Sequence, residues 1–251
     1  MFSNVDNDTV NNLIKDNPDL ETVIQGIIEN NKKVTSMLVH ELRNPLALIK
    51  GTLQYIETKH PEAICFKYWD QLQVLVIDME NVMNDASMYN TCNNLSKEIS
   101  DLLALIKSMV NNYTPQANNR QVELKLTATP NCEPYFSSYS CDQAKLKQVL
   151  SNLIKNSLEA TPTDGYIHIE LDLVPEQPNA SAKLLIKISN NGLPIPEDEI
   201  GQIFMPFVSF KKGGTGVGLA LSKKIIDLHY GNIDVISDEA ITSFTILLPL
   251  S

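Results

Sequence analysis

Between Leu20 and Ile56 the apolar residues Leu20, Ile24, Ile27, Val34, Leu38, Leu42, Ile49, Leu53 and Ile56 recur at the three- and four-residue steps of an amphipathic helix. Asn17-Pro18-Asp19 followed by Glu21 supplies its start: a cap, a proline in the first turn, and carboxylates at the positive end of the helix dipole. Lys59-His60-Pro61 ends it. A second periodic run from Glu62 to Tyr89 carries Ile64, Trp69, Leu72, Leu75, Val76, Met79, Val82 and Met83. Two long helices with a short break predict an antiparallel hairpin, with Trp69 in its core. One hairpin cannot cover both of its apolar faces, so a second copy is expected to complete a four-helix bundle as a homodimer.

Beyond Leu95 the pattern changes. Helical spacing over Ile99 to Tyr113 and Gln143 to Thr161 alternates with two-residue periodicity over Val122 to Ala128, Ile167 to Val174 and Leu184 to Ser189. A helix over Lys223 to His229 and strands over Asn232 to Ser237 and Phe244 to Leu248 close the chain. The predicted class is α+β: a two-helix hairpin over 17–90, then an α/β sandwich over 96–251 with helices on one face of a mixed sheet. Residues 1–16, polar apart from Val10, Leu13 and Ile14, form a short N-terminal segment, and Asn90 to Ser96 a polar linker. His168 falls in strand register and His229 just before a Tyr-Gly helix end, so both read as structural.

Composition narrows the partners. At 251 residues the chain is long enough for two modest cores, and 43% hydrophobic with 20% charged residues fits a globular protein. No apolar run approaches the ~20 residues of a membrane span, and the start lacks a basic-then-apolar leader, so a cytoplasmic protein without a membrane span is expected. A formal charge of −10 argues against general nucleic-acid binding, which needs Lys and Arg to neutralise phosphates. Cys65, Cys92, Cys132 and Cys141 show no Cys-x-x-Cys spacing, which leaves metal and redox chemistry unsupported.

Three stretches carry candidate chemistry. The first is His40-Glu41-Leu42-Arg43-Asn44-Pro45-Leu46, where His40 projects almost opposite the centre of the apolar stripe and so toward solvent. A neighbouring carboxylate can take the Nδ1 proton and leave Nε2 as a nucleophile near neutral pH. Asn44 lies one turn on, and Pro45 should bend the helix just after the histidine. The second is the helix from Gln143, on which Asn152 and Asn156 share a face beside the core positions Val149, Leu150, Leu153 and Ile154. An amide oxygen at Asn156 could complete the shell of a Mg²⁺ already held by phosphates. The third is the run Asn190-Asn191-Gly192-Leu193-Pro194-Ile195, Phe204-Met205-Pro206-Phe207 and Gly213-Gly214-Thr215-Gly216-Val217-Gly218-Leu219 before a helix. Its glycines let backbone amides approach phosphate oxygens.

The seven-residue box around His40 resembles the phosphoacceptor box of the sensor histidine kinases. The later motifs, in their order, resemble the catalytic ATP-binding domain of those kinases, a fold shared with gyrase, the ninety-kilodalton heat-shock chaperones and the MutL repair proteins. The resemblance covers roughly residues 20–251. It implies an N box at Asn152 and Asn156, a G1 box from Asn190 through Gly192 to Ile195, an F box at Phe204 to Phe207, and a G2 box at Gly214, Thr215, Gly216 and Gly218. Lys211 and Lys212, in the short lid between Phe207 and Gly213, could neutralise phosphate. Two positions depart from the family pattern. Asn190 stands where an aspartate accepts a hydrogen bond from the adenine amino group, and Pro194 replaces a glycine, which together imply weaker adenine binding.

What the resemblance implies is an ATP-dependent protein-histidine kinase. ATP and Mg²⁺ serve it, His40 takes the phosphoryl group with Glu41 accepting its proton, and an aspartate of a response-regulator receiver domain receives it next. Asn44 could position water for the reverse dephosphorylation. The alternative is a histidine phosphotransfer or scaffold protein with a degenerate ATP-binding domain. A hydrolysing ATPase is disfavoured, because those relatives carry a glutamate base where this chain has Asn152.

Overall fold

A computed structural model describes residues 18–176, 181–211 and 214–250, so the expectations for 1–16 and for Lys212 lie outside the described residues. The chain divides into two compact units between Asn90 and Thr91.

The first unit is a helical hairpin. Helix α1, Pro18–Lys59, runs unbroken through Pro45. A 3-10 turn, Pro61–Cys65, and a positive φ of 77° at Tyr68 reverse the chain into α2, Trp69–Thr91. The expected second helix thus starts about two turns late, at Trp69 and not Glu62, because Pro61 and the left-handed Tyr68 belong to the corner. Arg43 reaches Asn84, Lys50 grips both oxygens of Glu80 at 2.8 and 2.9 Å, and Trp69 and Gln73 donate to Glu57. Rising numbers on α1 meet falling numbers on α2, so the helices are antiparallel.

The seam between them is Val39, Leu46 and Leu53 against Val76, Met83 and Ala86, with Trp69 packed on it. Its seven-residue steps are those of a coiled-coil core. The wider stripe read from the sequence is mostly left outside: Val34, Leu38, Leu42 and Ile49 on α1, and Leu72, Leu75, Met79 and Val82 on α2, remain exposed. Periodicity registered the apolar arc as a whole, whereas within one chain only its edge is covered.

The second unit is built on a five-stranded sheet in the order β2-β4-β5-β7-β6, comprising β2 (Glu123–Ala128), β4 (Tyr166–Val174), β5 (Lys183–Asn190), β6 (Asn232–Ser237) and β7 (Thr242–Pro249). The β2–β4 pair is parallel and the other pairs antiparallel. Register aligns Ile169, Ile188 and Phe244 in one row and Leu171, Ile186 and Ile246 in the next, all buried on one face. Three helices cover that face: α3 (Leu102–Asn119), α5 (Gln143–Ala160) and α7 (Gly218–Leu228). Each fully buried Leu or Ile contributes on the order of 1.5–3 kcal/mol, so these rows dominate the fold's stability. On the opposite face Lys187 pairs with Glu170 at 3.4 Å and the half-buried His168 ring meets Thr127 at 2.8 Å, a cross-strand bond in keeping with the structural reading of that histidine. A two-stranded sheet pairs β1 (Glu98–Ser100) with β3 (Tyr139–Cys141), and α4 (Glu133–Ser137) and α6 (Glu197–Ile200) are short connectors. Among the described residues no helix is long and apolar enough to cross a membrane.

Two differences from the sequence reading have clear causes. Helix α3 continues to Asn119 through Pro115, held by buried Leu102, Leu103, Ile106, Met109 and Ala117. Helix α7 begins at Gly218, five residues early, because Ala220, Leu221 and Ser222 are already core.

His229 joins α7 to the start of α5. It is 1% exposed; its Nδ1 donates to Ile225 O at 2.8 Å, and its Nε2 accepts from the Asp142 N–H at 3.1 Å. That pattern requires the neutral ring, and burial holds its pKa below the ordinary value. The Asp142 carboxylate caps α5 through Lys145 N and accepts from Ser96 N. Burial works against its charge, but those N–H groups and the Lys145 ammonium outweigh it and hold its pKa below the usual range. For a group whose folded pKa is lowered, stability is present above the unfolded value and lost as pH falls toward the folded one. Thermal stability is therefore expected to fall below pH about 6.5, first through His229 and then, near about 4, through Asp142. Melting curves from pH 8 to 4 check this, and His229→Gln should be less stable at pH 8 but flatten the decline between about 6.5 and 5.

Candidate nucleotide site

In the second unit the sequence-predicted residues converge on the C-terminal half of α5. Asn152 Nδ2 donates to Ser222 Oγ at 3.0 Å, and Ser222 Oγ donates to Gly218 O at 2.9 Å, tying α5 to the first turn of α7. A Cβ at Gly218 would stand 2.5 Å from Asn152 Oδ1, so glycine is what permits this contact. No side chain caps α7, leaving its first-turn N–H groups to meet an anion.

The glycine run packs against the segment that follows Phe204. Gly216 adopts a φ of +68°, and a Cβ there would be 2.6 Å from the Val208 backbone. Its carbonyl accepts from Phe207 N at 3.0 Å, stitching the loop back to the Phe204–Phe207 segment, where Phe207 itself has a φ of 64°. Thr215 Oγ1 accepts from Val217 N at 3.4 Å, and Gly214 N donates to Lys211 O at 3.1 Å.

Lys211 is the cation of the site. Its Nζ lies 3.3 Å from Asn156 Oδ1 and 3.1 Å from Glu159 Oε2. Two oxygen donors one turn apart on α5 thus already share one positive charge. Sequence reasoning missed Glu159, although its three-residue step from Asn156 puts both on one face. Among the described residues no cluster of three His, Cys, Asp or Glu side chains could hold a metal ion unaided. A divalent cation here would need oxygens from a bound phosphate besides Asn156.

At the far end, β5 terminates in Asn190, which is 1% exposed. Its Nδ2 has no hydrogen-bond partner, and neither does Ser157 Oγ on α5, also 1% exposed. Each such orphan costs on the order of 1–3 kcal/mol. A Cβ at Gly192 would clash with Asn190 Nδ2 at 2.6 Å and with the Ala160 carbonyl group. Pro194 leaves the loop intact: Leu193 N donates to Ala160 O at 3.2 Å and Ile195 N to Ser237 Oγ at 2.8 Å.

In the first unit His40 and Glu41 lie side by side on α1, each side chain 71% exposed, with Nδ1 to Oε1 at 3.7 Å. Asn44, one turn on, is exposed as well.

The second unit thus brings together a glycine-rich loop, a paired-amide helix and a layer of helices on one face of a mixed sheet. Residues 141–251 match the family described as histidine kinase-, DNA gyrase B-, and HSP90-like ATPase. Over most of its length the chain is similar to sensor histidine kinases. It is 30% identical over 221 residues to sporulation kinase D of Bacillus subtilis and 29% identical over 223 residues to the sensor histidine kinase ZraS of Escherichia coli. These alignments cover 84% and 85% of this chain but 40% and 44% of those proteins, so the chain spans less than half of either relative. The fold is that of full-length ShkA, crystallised with AMPPNP: TM-score 0.68, 19% identity, over 86% of this chain and 45% of that one.

Proposed function

We propose that the protein is an ATP-dependent protein-histidine kinase that phosphorylates His40 and passes the phosphoryl group to an aspartate of a response-regulator receiver domain. The observation that carries this reading is the exposed His40–Glu41 pair in a chain whose other unit assembles Asn152, Asn156 and the glycine cradle of an ATPase domain. The AMPPNP bound to ShkA supports an adenine nucleotide as the ligand.

In this reading Nε2 of His40 attacks the γ-phosphorus of ATP in line, the bond to the ADP oxygen breaks, and the Nδ1 proton passes to Glu41. The 3.7 Å separation is closed by a small change of rotamer, so the carboxylate both orients the ring and accepts its proton. Asn190 meets the base, and the amides from Gly214 through Gly216 to Gly218 approach the phosphates, with the Thr215 hydroxyl alongside. Asn152 holds α5 to α7 beside them. Mg²⁺, held by Asn156 and phosphate oxygens, would offset charge on the transferring group. Lys211 then leaves Asn156 and Glu159 for phosphate. Asn44 positions water for hydrolysis of the partner's acyl phosphate.

A second copy of the chain is the partner that covers Leu38, Leu42, Ile49 and Leu75. An Ile49→Glu, Leu75→Glu double variant is expected to run as a monomer in light scattering where the parent runs as a dimer. The function itself is tested by incubating protein with labelled Mg-ATP. Acid-labile, base-stable label that chases onto a receiver domain within minutes supports the reading, whereas labelling only from a phosphorylated receiver, never from ATP, refutes it.

A further inference from the structure

The base-binding end of the cradle differs from one built around a carboxylate, because Asn190 presents a donor as well as an acceptor. The donor is uncommitted among the described residues: Asn190 is 1% exposed with Nδ2 unpaired. The polar groups around it are already engaged. Thr242, opposite Asn190 in the β5–β7 register, bonds Ser237 at 2.6 Å. Ser189 bonds Ser243 at 2.8 Å, and Asn191 Oδ1 takes the Tyr166 N–H at 2.7 Å. The other cross-strand neighbour, Ile167, is apolar. A Cβ at Gly192 would stand 2.6 Å from Nδ2, so glycine is what lets the amide lie against this turn.

We propose that Asn190 makes this site tolerant at position 6 of the purine, so that it takes 6-oxopurine nucleotides (guanine and hypoxanthine) alongside adenine. This rests on the nucleotide-binding reading above. Adenine offers an amino donor at position 6 and an acceptor at N1; guanine and hypoxanthine offer an oxygen at position 6 and an N1–H. A carboxylate, acceptor only, pairs with the first and opposes the oxygen of the second. An amide pairs with either, because a half-turn about the Cβ–Cγ bond exchanges its oxygen and nitrogen while preserving its shape.

Calorimetric titration of the intact protein with ADP, GDP and IDP, each with Mg²⁺, tests this, repeated on Asn190→Asp with melting curves recorded for both proteins. Wild type is expected to bind ADP and at least one of GDP and IDP within about tenfold of each other. In Asn190→Asp the preference for ADP should widen by about ten- to a hundredfold, the discrimination carried by one bidentate base contact. ADP binding with both 6-oxopurines rejected more than about a hundredfold by the wild type overturns the inference and leaves the kinase reading standing. Failure of all three nucleotides to bind the wild type overturns both. The wild-type ratios decide the matter even if Asn190→Asp proves unstable.

Discussion

Replacement of His40 by Gln is expected to abolish acid-labile phosphorylation from Mg-ATP completely, while Kd for the nucleotide stays within about twofold of the parent. The side chain is solvated on α1, 71% exposed, and makes no core contact. Its loss therefore removes a nucleophile without touching packing, and surface substitutions of this kind fall within about ±0.5 kcal/mol in stability. Glutamine keeps polarity and helix propensity but offers no nitrogen lone pair for attack. Radiolabelling after a base quench, alongside a nucleotide titration, measures both quantities. Residual label on His40→Gln at parental levels would place the phosphoacceptor elsewhere.

The second large effect is expected at Gly216. Alanine there must adopt a φ of +68°, which costs an L-residue roughly 1–2 kcal/mol, and its Cβ would lie 2.6 Å from the Val208 backbone, which cannot swing aside like a side chain. The loop must shift, breaking the Phe207 N to Gly216 O bond that sets the spacing of the cradle. Gly216→Ala is expected to bind Mg-ADP at least about tenfold more weakly, since a loss of ~1.4 kcal/mol is a factor of ten. The melting temperature should fall by only a few degrees, because the sheet rows at Ile169, Ile188 and Phe244 are untouched. Titration and melting together separate a lost cradle from a lost fold.

How far the chain could be read in advance follows from the range of the forces involved. Helices and strands with strong periodicity, such as Pro18–Lys59 and Gln143–Ala160, were legible because one apolar arc or one alternating face is a local property. Local sequence does not say which part of a wide arc a neighbour will cover, so Val39 and Leu46 emerged as the seam where Leu38 and Leu42 had been expected. The glycine run reads as loop, and only the burial of Ala220 and Leu221 reveals that α7 has already begun. At the site, Asn152 and Asn156 announced themselves as polar residues in apolar company, and Asn190 through the resemblance of its motif. Glu159 did not, because it looks like an ordinary surface charge until Lys211 is placed beside it.

The central claim is that a nucleotide held by the second unit delivers its terminal phosphoryl group to the ring of His40. The most direct measurement is to incubate the protein with Mg-ATP, digest it at neutral pH and locate the added phosphate by fragmentation mass spectrometry. It is expected on the peptide containing His40-Glu41-Leu42, on the imidazole, and much reduced at sub-saturating Mg-ATP when Gly216 is replaced by alanine. Phosphate found only on serine, threonine or another histidine, or none at all on a protein that binds Mg-ATP, would contradict that claim.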